Sequence, residues 1–211
     1  MSILHIDTSA RTENANSRAV TAYLVEQLTA ANEAVVTHRD LAQQPLPAIS
    51  AEDLIDLHGS KAADRASLQQ HMNLSNQLIA ELKAADSLVI GAPMYNFGIP
   101  ATLKQWLDFI CRAGETFRYT ENGPQGLSGI EHAYVVVASG GTAVGSAMDF
   151  VSDYMRAVLG FIGVKHVHII DAAGSKRTPE KVIAHAQQQV DALLAGSAHQ
   201  HSETNSIQTG V

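Results

Sequence analysis

The sequence lacks the features that mark several large protein classes. A single cysteine, Cys111, stands among 211 residues. That excludes an internal disulfide and fits a reducing compartment, so a cytoplasmic location is expected. Basic residues are few: 14 Lys and Arg against 21 Asp and Glu, for a formal net charge of -7. Nucleic-acid binding leaves a basic patch or stripe, and an anionic membrane attracts Lys/Arg clusters. Neither is present, so neither partner is expected. Long apolar runs are missing too. Met1 leads into ILHI without a basic region, so neither a signal peptide nor a transmembrane helix is expected. There is no GxGxxG and no Walker loop, which argues against a plain dinucleotide fold and an ATPase. No pair of carboxylates has a catalytic rationale. The ten histidines include no Cys/His or His/carboxylate set with zinc spacing, and no metal is expected.

What is present is an alternation of apolar runs and helical patterns in a chain that is 45% hydrophobic. Ile3–Ile6, Ala34–Thr37, Ser87–Ile90, Ala133–Ala138 and Val164–Ile170 read as strands. Between them lie helical patterns. Ser17 is expected to cap a helix whose Val20, Leu24, Leu28 and Ala31 form one stripe. Residues 51–84 read as mostly helical, with a break near His58-Gly59. Pro100–Arg112, Asp149–Gly160 and Pro179–Leu194 complete the set. Five strands with helical crossovers predict an α/β parallel sheet covered on both faces. Residues 115–129, with Asn122-Gly123 between strand-like residues, read as a hairpin leaving that sheet. The expected organisation is one domain over residues 1–195 and a polar, mobile tail over 196–211.

Three loops fall at strand carboxyl ends, where open α/β sheets bind ligands. Thr8–Ser17 runs into a helix N-terminus, whose backbone N–H groups and dipole favour a phosphate. Ser9, Asn16 and Ser17 can add side-chain hydrogen bonds. Met94, Tyr95, Asn96 and Phe97 offer aromatic faces and an amide to a flat heteroaromatic ring. Ser139, Gly140, Gly141 and Thr142 let a ring edge approach the backbone closely. Each loop also has an ordinary explanation, respectively helix capping, a packed aromatic pair and a glycine turn. Phosphate, ring and ring edge together point to a mononucleotide cofactor. Cys111 reads as a small core residue, since no histidine is placed to activate it. Lys104 and Asp108 read as a helix-surface pair.

The string PMYNF, then RAG-TFRYTENGP-GL over Arg112–Leu127, then LGFIG over Leu159–Gly163, resembles the FMN-dependent NADH-azoreductase family. Its members are also NAD(P)H:quinone oxidoreductases of flavodoxin-like fold, which implies a five-stranded parallel sheet in the order 2-1-3-4-5 with helices on both faces. The resemblance covers the chain to about Leu194. It implies that Ser9 and Ala15, Asn16 and Ser17 hold the FMN phosphate. Met94, Tyr95, Asn96 and Phe97 would line the isoalloxazine, and Ser139–Thr142 would meet its pyrimidine edge. Gly140 and Gly141 would act as backbone donors, and no side chain is assigned a catalytic role. Tyr119 and Phe161 would wall the substrate pocket, and the sites would lie at a homodimer interface. The implied reaction takes a hydride from NADH, with NADPH as a further donor, to quinones or azo dyes by a ping-pong mechanism. Two alternatives stay open: a quinone reductase with incidental azo activity, and a non-enzymatic flavodoxin-type electron carrier. Two departures stand out. Ala15 occupies a position where many members have Ser, and SGGT replaces a common SRGG.

Overall fold

The computed structural model describes residues 1–50, 66–174 and 178–208. Its main sheet has five parallel strands: β1 (Ser2–Asp7), β2 (Val35–Asp40), β3 (Ser87–Pro93), β6 (His132–Ala138) and β7 (His166–Asp171), in the order β2-β1-β3-β6-β7. Counting only these five, that is the expected 2-1-3-4-5. β4 (Phe117–Thr120) and β5 (Gly123–Gly126) form the expected antiparallel hairpin outside the sheet. The described helices are α1 (Asn16–Asn32), α2 (Ala66–Lys83), α3 (Ala101–Ile110), α4 (Ser152–Phe161) and α5 (Pro179–Gln208).

β3 is buried along its whole length, which is why it reads as a continuous apolar run rather than an alternating one. Its side chains divide between two cores. Leu88, Ile90 and Ala92 face a cluster with Leu78, Leu82, Trp106 and Phe109. Val89 faces Val20, Leu24 and Val190 on the other side. The central strand thus holds α2 and α3 on one face and α1 and α5 on the other, and its carboxyl end lies between them.

Several local expectations are corrected. Ser17 does not cap α1. The N-cap is Ala15, with φ -95° and ψ 120° and no side-chain hydrogen bond to the helix. Ser17 is instead buried in the first turn. The fourth helix starts at Ser152 because Asp149 ends the loop before it. The Asp149 carboxylate accepts from the N–H groups of Gly145, Val151 and Ser152 and from the Ser152 hydroxyl. The last helix runs to Gln208 rather than Leu194. No proline follows Pro179, and a helix already formed gains one hydrogen bond per added residue. The expected break at His58-Gly59 and the final residues 209–211 lie outside the described residues.

Candidate active site at the strand carboxyl ends

The loop after β1 is short of side-chain support where it meets α1. With Ala15 at the N-cap, the first-turn N–H groups have no capping side chain, and such donors seek an acceptor. Gly91 on β3 makes room for this helix end: a Cβ there would stand 3.1 Å from Asp7 Oδ1 and 3.6 Å from Ser17 Cβ. The loop itself is braced from behind by Arg18. Its Nε donates to the Arg11 carbonyl at 2.9 Å and its Nη2 to the Ser9 carbonyl at 2.8 Å. The same guanidinium grips both Asp40 oxygens, at 2.6 and 2.9 Å. The bond to Asp40 outweighs burial and raises the Arg18 pKa. Burial alone would raise the Asp40 pKa, but Arg18 and the Gln43 and Ala42 N–H groups hold it below the usual carboxylate range. Sequence reading missed Arg18. A basic residue in a first helical turn carries no signal of its own, and Asp40 joins it only through the fold.

The loop after β3 is a two-residue turn. Tyr95 N–H donates to the Gly98 carbonyl at 3.0 Å and Gly98 N–H returns to Tyr95 at 3.1 Å. Asn96 and Phe97 both have positive φ, 49° and 70°, as a type I′ turn requires. Asn tolerates that region; a bulky aromatic there is strained, and such strain gathers at functional sites. Phe97 is also 46% exposed, so core packing does not explain it. Met94 N–H donates to the Ala138 carbonyl at 2.7 Å and ties this turn to the end of β6.

The loop after β6 holds Ser139, Gly140, Gly141 and Thr142. The Ser139 hydroxyl donates to the Thr142 carbonyl, and Gly174 N–H donates to the Ser139 carbonyl at 2.7 Å. Neither glycine has positive φ, and a Cβ on either would meet nothing within 4 Å. The chain's own backbone and packing therefore do not require glycine at these two positions. Both positions border open space.

These loops enclose one open cleft of about 260 Å³, lined by Ser9, Ala15, Asn16, Ser17, Met94, Tyr95, Ser139 and Gly140, with Asn14, Pro93 and Pro179 among the others. Asn96 and Phe97 extend from its Met94–Tyr95 wall, and Gly141 and Thr142 continue from Gly140. Tyr119 and Phe161 do not line it. Phe117 packs on Phe161 with ring centroids 4.4 Å apart and on Tyr119 at 5.5 Å, edge to face. This aromatic group sits beside the strand starts. Ser128 N–H binds the Ile162 carbonyl, and Gly126 lies directly against Gly163, just ahead of β7. Lys83, at the end of α2, pairs with Glu115 at 3.0 Å. The cleft is at the opposite end of the strands.

Cys111 is half-buried at the end of α3. Burial, aided by Asp108 and opposed by Lys104, raises its thiol pKa to about 11, which suits a packing role. Lys104 and Asp108 form the expected surface pair.

The cleft fits a phosphate-bearing ring cofactor: an uncapped helix N-terminus at one end, an aromatic turn, and two bare glycines at the other. The chain is similar to known proteins. Residues 1–194 match the family model described as flavodoxin-like fold. A protein of Hahella chejuensis, called FMN-dependent NADH:quinone oxidoreductase 1, is 52% identical over 93% of this chain and 96% of its own length. A Colwellia psychrerythraea protein of the same name is 43% identical over 90% and 99%. Among solved structures, an FMN-dependent NADH-azoreductase from Bacillus anthracis in complex with FMN superposes with a TM-score of 0.82. It is 24% identical, over 94% of this chain and all of that one.

Proposed function

Because the chain belongs to the flavodoxin-like family of FMN-dependent NADH:quinone oxidoreductases, we propose that it carries reducing equivalents from NADH to quinones and azo compounds with the help of FMN. The observation that carries this reading is the pairing of an uncapped α1 N-terminus with two glycines whose missing side chains serve nothing within the chain. Bound FMN supplies hydride-transfer chemistry between nicotinamide and an acceptor.

The chain's residues bind and orient. The N–H groups at Asn16 and Ser17, the α1 dipole and Ser9 hold the phosphate. Ala15 removes one hydroxyl from that set but leaves the backbone donors in place. Met94, Tyr95, Asn96 and Phe97 wall the ring. The N–H groups of Gly140 and Gly141, with Ser139 and Thr142, would meet the ring's pyrimidine edge and favour negative charge there. No side chain is needed as an acid or base, since the proton comes from solvent. With FMN held there, the one open cleft would admit donor and acceptor in turn rather than together, and the kinetics in this reading are ping-pong. A quinone needs one round and an azo bond two. Quinones come first in this reading, since the relatives at 43–52% identity carry that name. NADPH is a second possible donor.

The working unit in this reading is a homodimer. Tyr119 is 75% exposed, and with Phe161 it sits beside the strand starts, away from the cleft of its own chain. Those aromatics can therefore wall only the cleft of a second copy. The exposed Phe97, Met148 and Phe150 supply apolar surface for such contact. Residues 1–195 form the reductase domain, with 196–211 outside it. The location in this reading is the cytoplasm, in keeping with the one free thiol. No helix among the described residues is long and apolar enough to cross a membrane.

The test is direct. Heat-released flavin should chromatograph as FMN; FAD, or none from folded protein, overturns the reading. Initial rates with NADH or NADPH against a quinone and an azo dye should give parallel double-reciprocal lines. A flavodoxin-type carrier would release FMN as well but would show no turnover with either nicotinamide. Phe161→Ala should raise the acceptor KM while FMN retention holds.

A further inference from the structure

The α1-facing side of β1 and β2 brings together three metal-ligating side chains that flavin chemistry does not use. His5 and Asp7, two residues apart on β1, share a face of the sheet. His38 on β2 is paired with His5 in the parallel ladder and so shares that face. Their spacing along the chain is not that of a metal motif, which is why no metal was expected from the sequence. Strand register alone assembles them.

The geometry is that of a ligand set. His38 Nε2 lies 3.1 Å from Asp7 Oδ2, and His5 Nε2 lies 3.4 Å from the same oxygen. The three ligand atoms all fall within 4.8 Å of one another. Around a tetrahedral zinc ion with bonds of about 2.0–2.2 Å, neighbouring ligand atoms are roughly 3.3–3.5 Å apart. His5 is only 7% exposed, and its Nε2 makes no well-formed hydrogen bond, having Asp7 Oδ2 at 3.4 Å as its charge partner. Buried polar atoms nearly always have a hydrogen-bond partner, and this nitrogen is aimed at the other two ligands.

The surroundings favour a cation. Thr21 donates its hydroxyl to Asp7 Oδ1 at 3.1 Å and so turns Oδ2 toward the histidines, as a supporting partner does at metal sites. Arg18 Nη1 stands 3.6 Å from Asp7 Oδ2. Arg18 is shared between Asp7 and Asp40, so with both imidazoles neutral two carboxylates face one guanidinium and the group is net negative. The His38 side chain, on the edge strand, is 48% exposed. That gives an ion a way in and leaves a coordination position for water.

We propose that His5, Asp7 and His38 bind a divalent transition ion of the zinc type, clipping edge strand β2 to β1. Two imidazole nitrogens and a carboxylate oxygen suit Zn²⁺, with Co²⁺ as a spectroscopic substitute. Each imidazole ligates through Nε2 and keeps its proton on Nδ1.

The test uses the full flavin-loaded chain, stripped of metal by a chelator and titrated with Zn²⁺ alone and Co²⁺ alone. The expected result is one tight equivalent of Zn²⁺ per chain by elemental analysis, visible Co²⁺ d–d bands, and a Tm that rises on Zn²⁺ addition. His38→Gln and Asp7→Asn should each abolish that equivalent and the Tm rise. His38 is half-exposed, so its variant keeps the fold, with circular dichroism as the check. A rival pair exists where His132 Nδ1 lies 3.2 Å from His168 Nε2. A His132→Gln/His168→Gln variant should bind as the unmodified chain does. Absence of a tight equivalent overturns the proposal. So does an equivalent that survives His38→Gln, or one lost only in the His132/His168 variant.

Discussion

The Tyr95 hydroxyl accepts a hydrogen bond from the Ala10 backbone N–H at 3.1 Å. One bond thus joins the aromatic turn after β3 to the loop that leads into α1. The two walls of the cleft are held at a fixed separation by a side chain that also lines it.

Tyr95→Phe keeps the ring and removes the bond. A hydrogen bond of this kind is worth about 0.5–1.5 kcal/mol, or up to roughly tenfold in affinity. FMN titration of the apoprotein, followed by flavin fluorescence, should show weaker binding of that order. Unchanged affinity would mean that the loop keeps its position without Tyr95.

Gly141→Ala separates ligand space from fold. A Cβ at this position meets nothing within 4 Å, and replacing Gly by Ala where the backbone allows it adds about 0.4–1 kcal/mol of stability. The apoprotein Tm should hold or rise slightly while FMN affinity falls. A drop in apoprotein Tm would show that the glycine serves the fold.

The turn residues make a matched pair of tests. Asn96 has φ 49°, a conformation that costs an ordinary L-residue roughly 1–2 kcal/mol and glycine little. Asn96→Ala should lower the urea midpoint, and Asn96→Gly should not. If both weaken FMN binding or slow flavin reduction, the amide touches the ligand. If only Asn96→Ala does, the effect comes through the backbone.

Asp149 gives a pH dependence. Burial would raise its pKa, but hydrogen bonds from Gly145, Ser152 and Val151 outweigh burial and hold it below the ordinary value of 3.8. A carboxyl depressed in the folded state adds stability above its unfolded pKa of about 4 and loses it as pH falls through the folded value. Urea midpoints of the unmodified chain should therefore fall more steeply below about pH 4 than those of Asp149→Asn. Equal slopes would remove the loop cap from the account.

Cys111, with its thiol pKa raised to about 11, should be alkylated slowly by iodoacetamide at neutral pH, because the thiolate is the reacting form. Cys111→Ala should leave the rate with NADH and a quinone unchanged. Fast labelling, or loss of activity, would give the thiol a role that its burial argues against.

Much of the molecule could be read from local sequence. The five strands, the hairpin at Asn122-Gly123 and the loops at Ser9, Met94 and Ser139 each follow from hydrophobic period, turn residues or helix-start chemistry within a dozen residues, while the strand order came with the family resemblance. Local signals of that kind survive folding because strand, turn and helix start are decided by neighbouring side chains and backbone. What needed the tertiary structure was every relationship set by register or by which end of the strands an element reaches. Arg18 meets Asp40, and His38 meets His5 and Asp7, only because β2 pairs with β1 in one register; a slip of one residue would turn His38 to the other face. Ala15, not Ser17, became the N-cap once the backbone after Asn14 settled. The resemblance implies Tyr119 and Phe161 as walls of the substrate pocket; their chain gathers both around Phe117, beside the strand starts and away from its own cleft. A right-handed crossover returns the chain to the opposite end of the strands before the hairpin begins, and no stretch of sequence states how far that helix carries it.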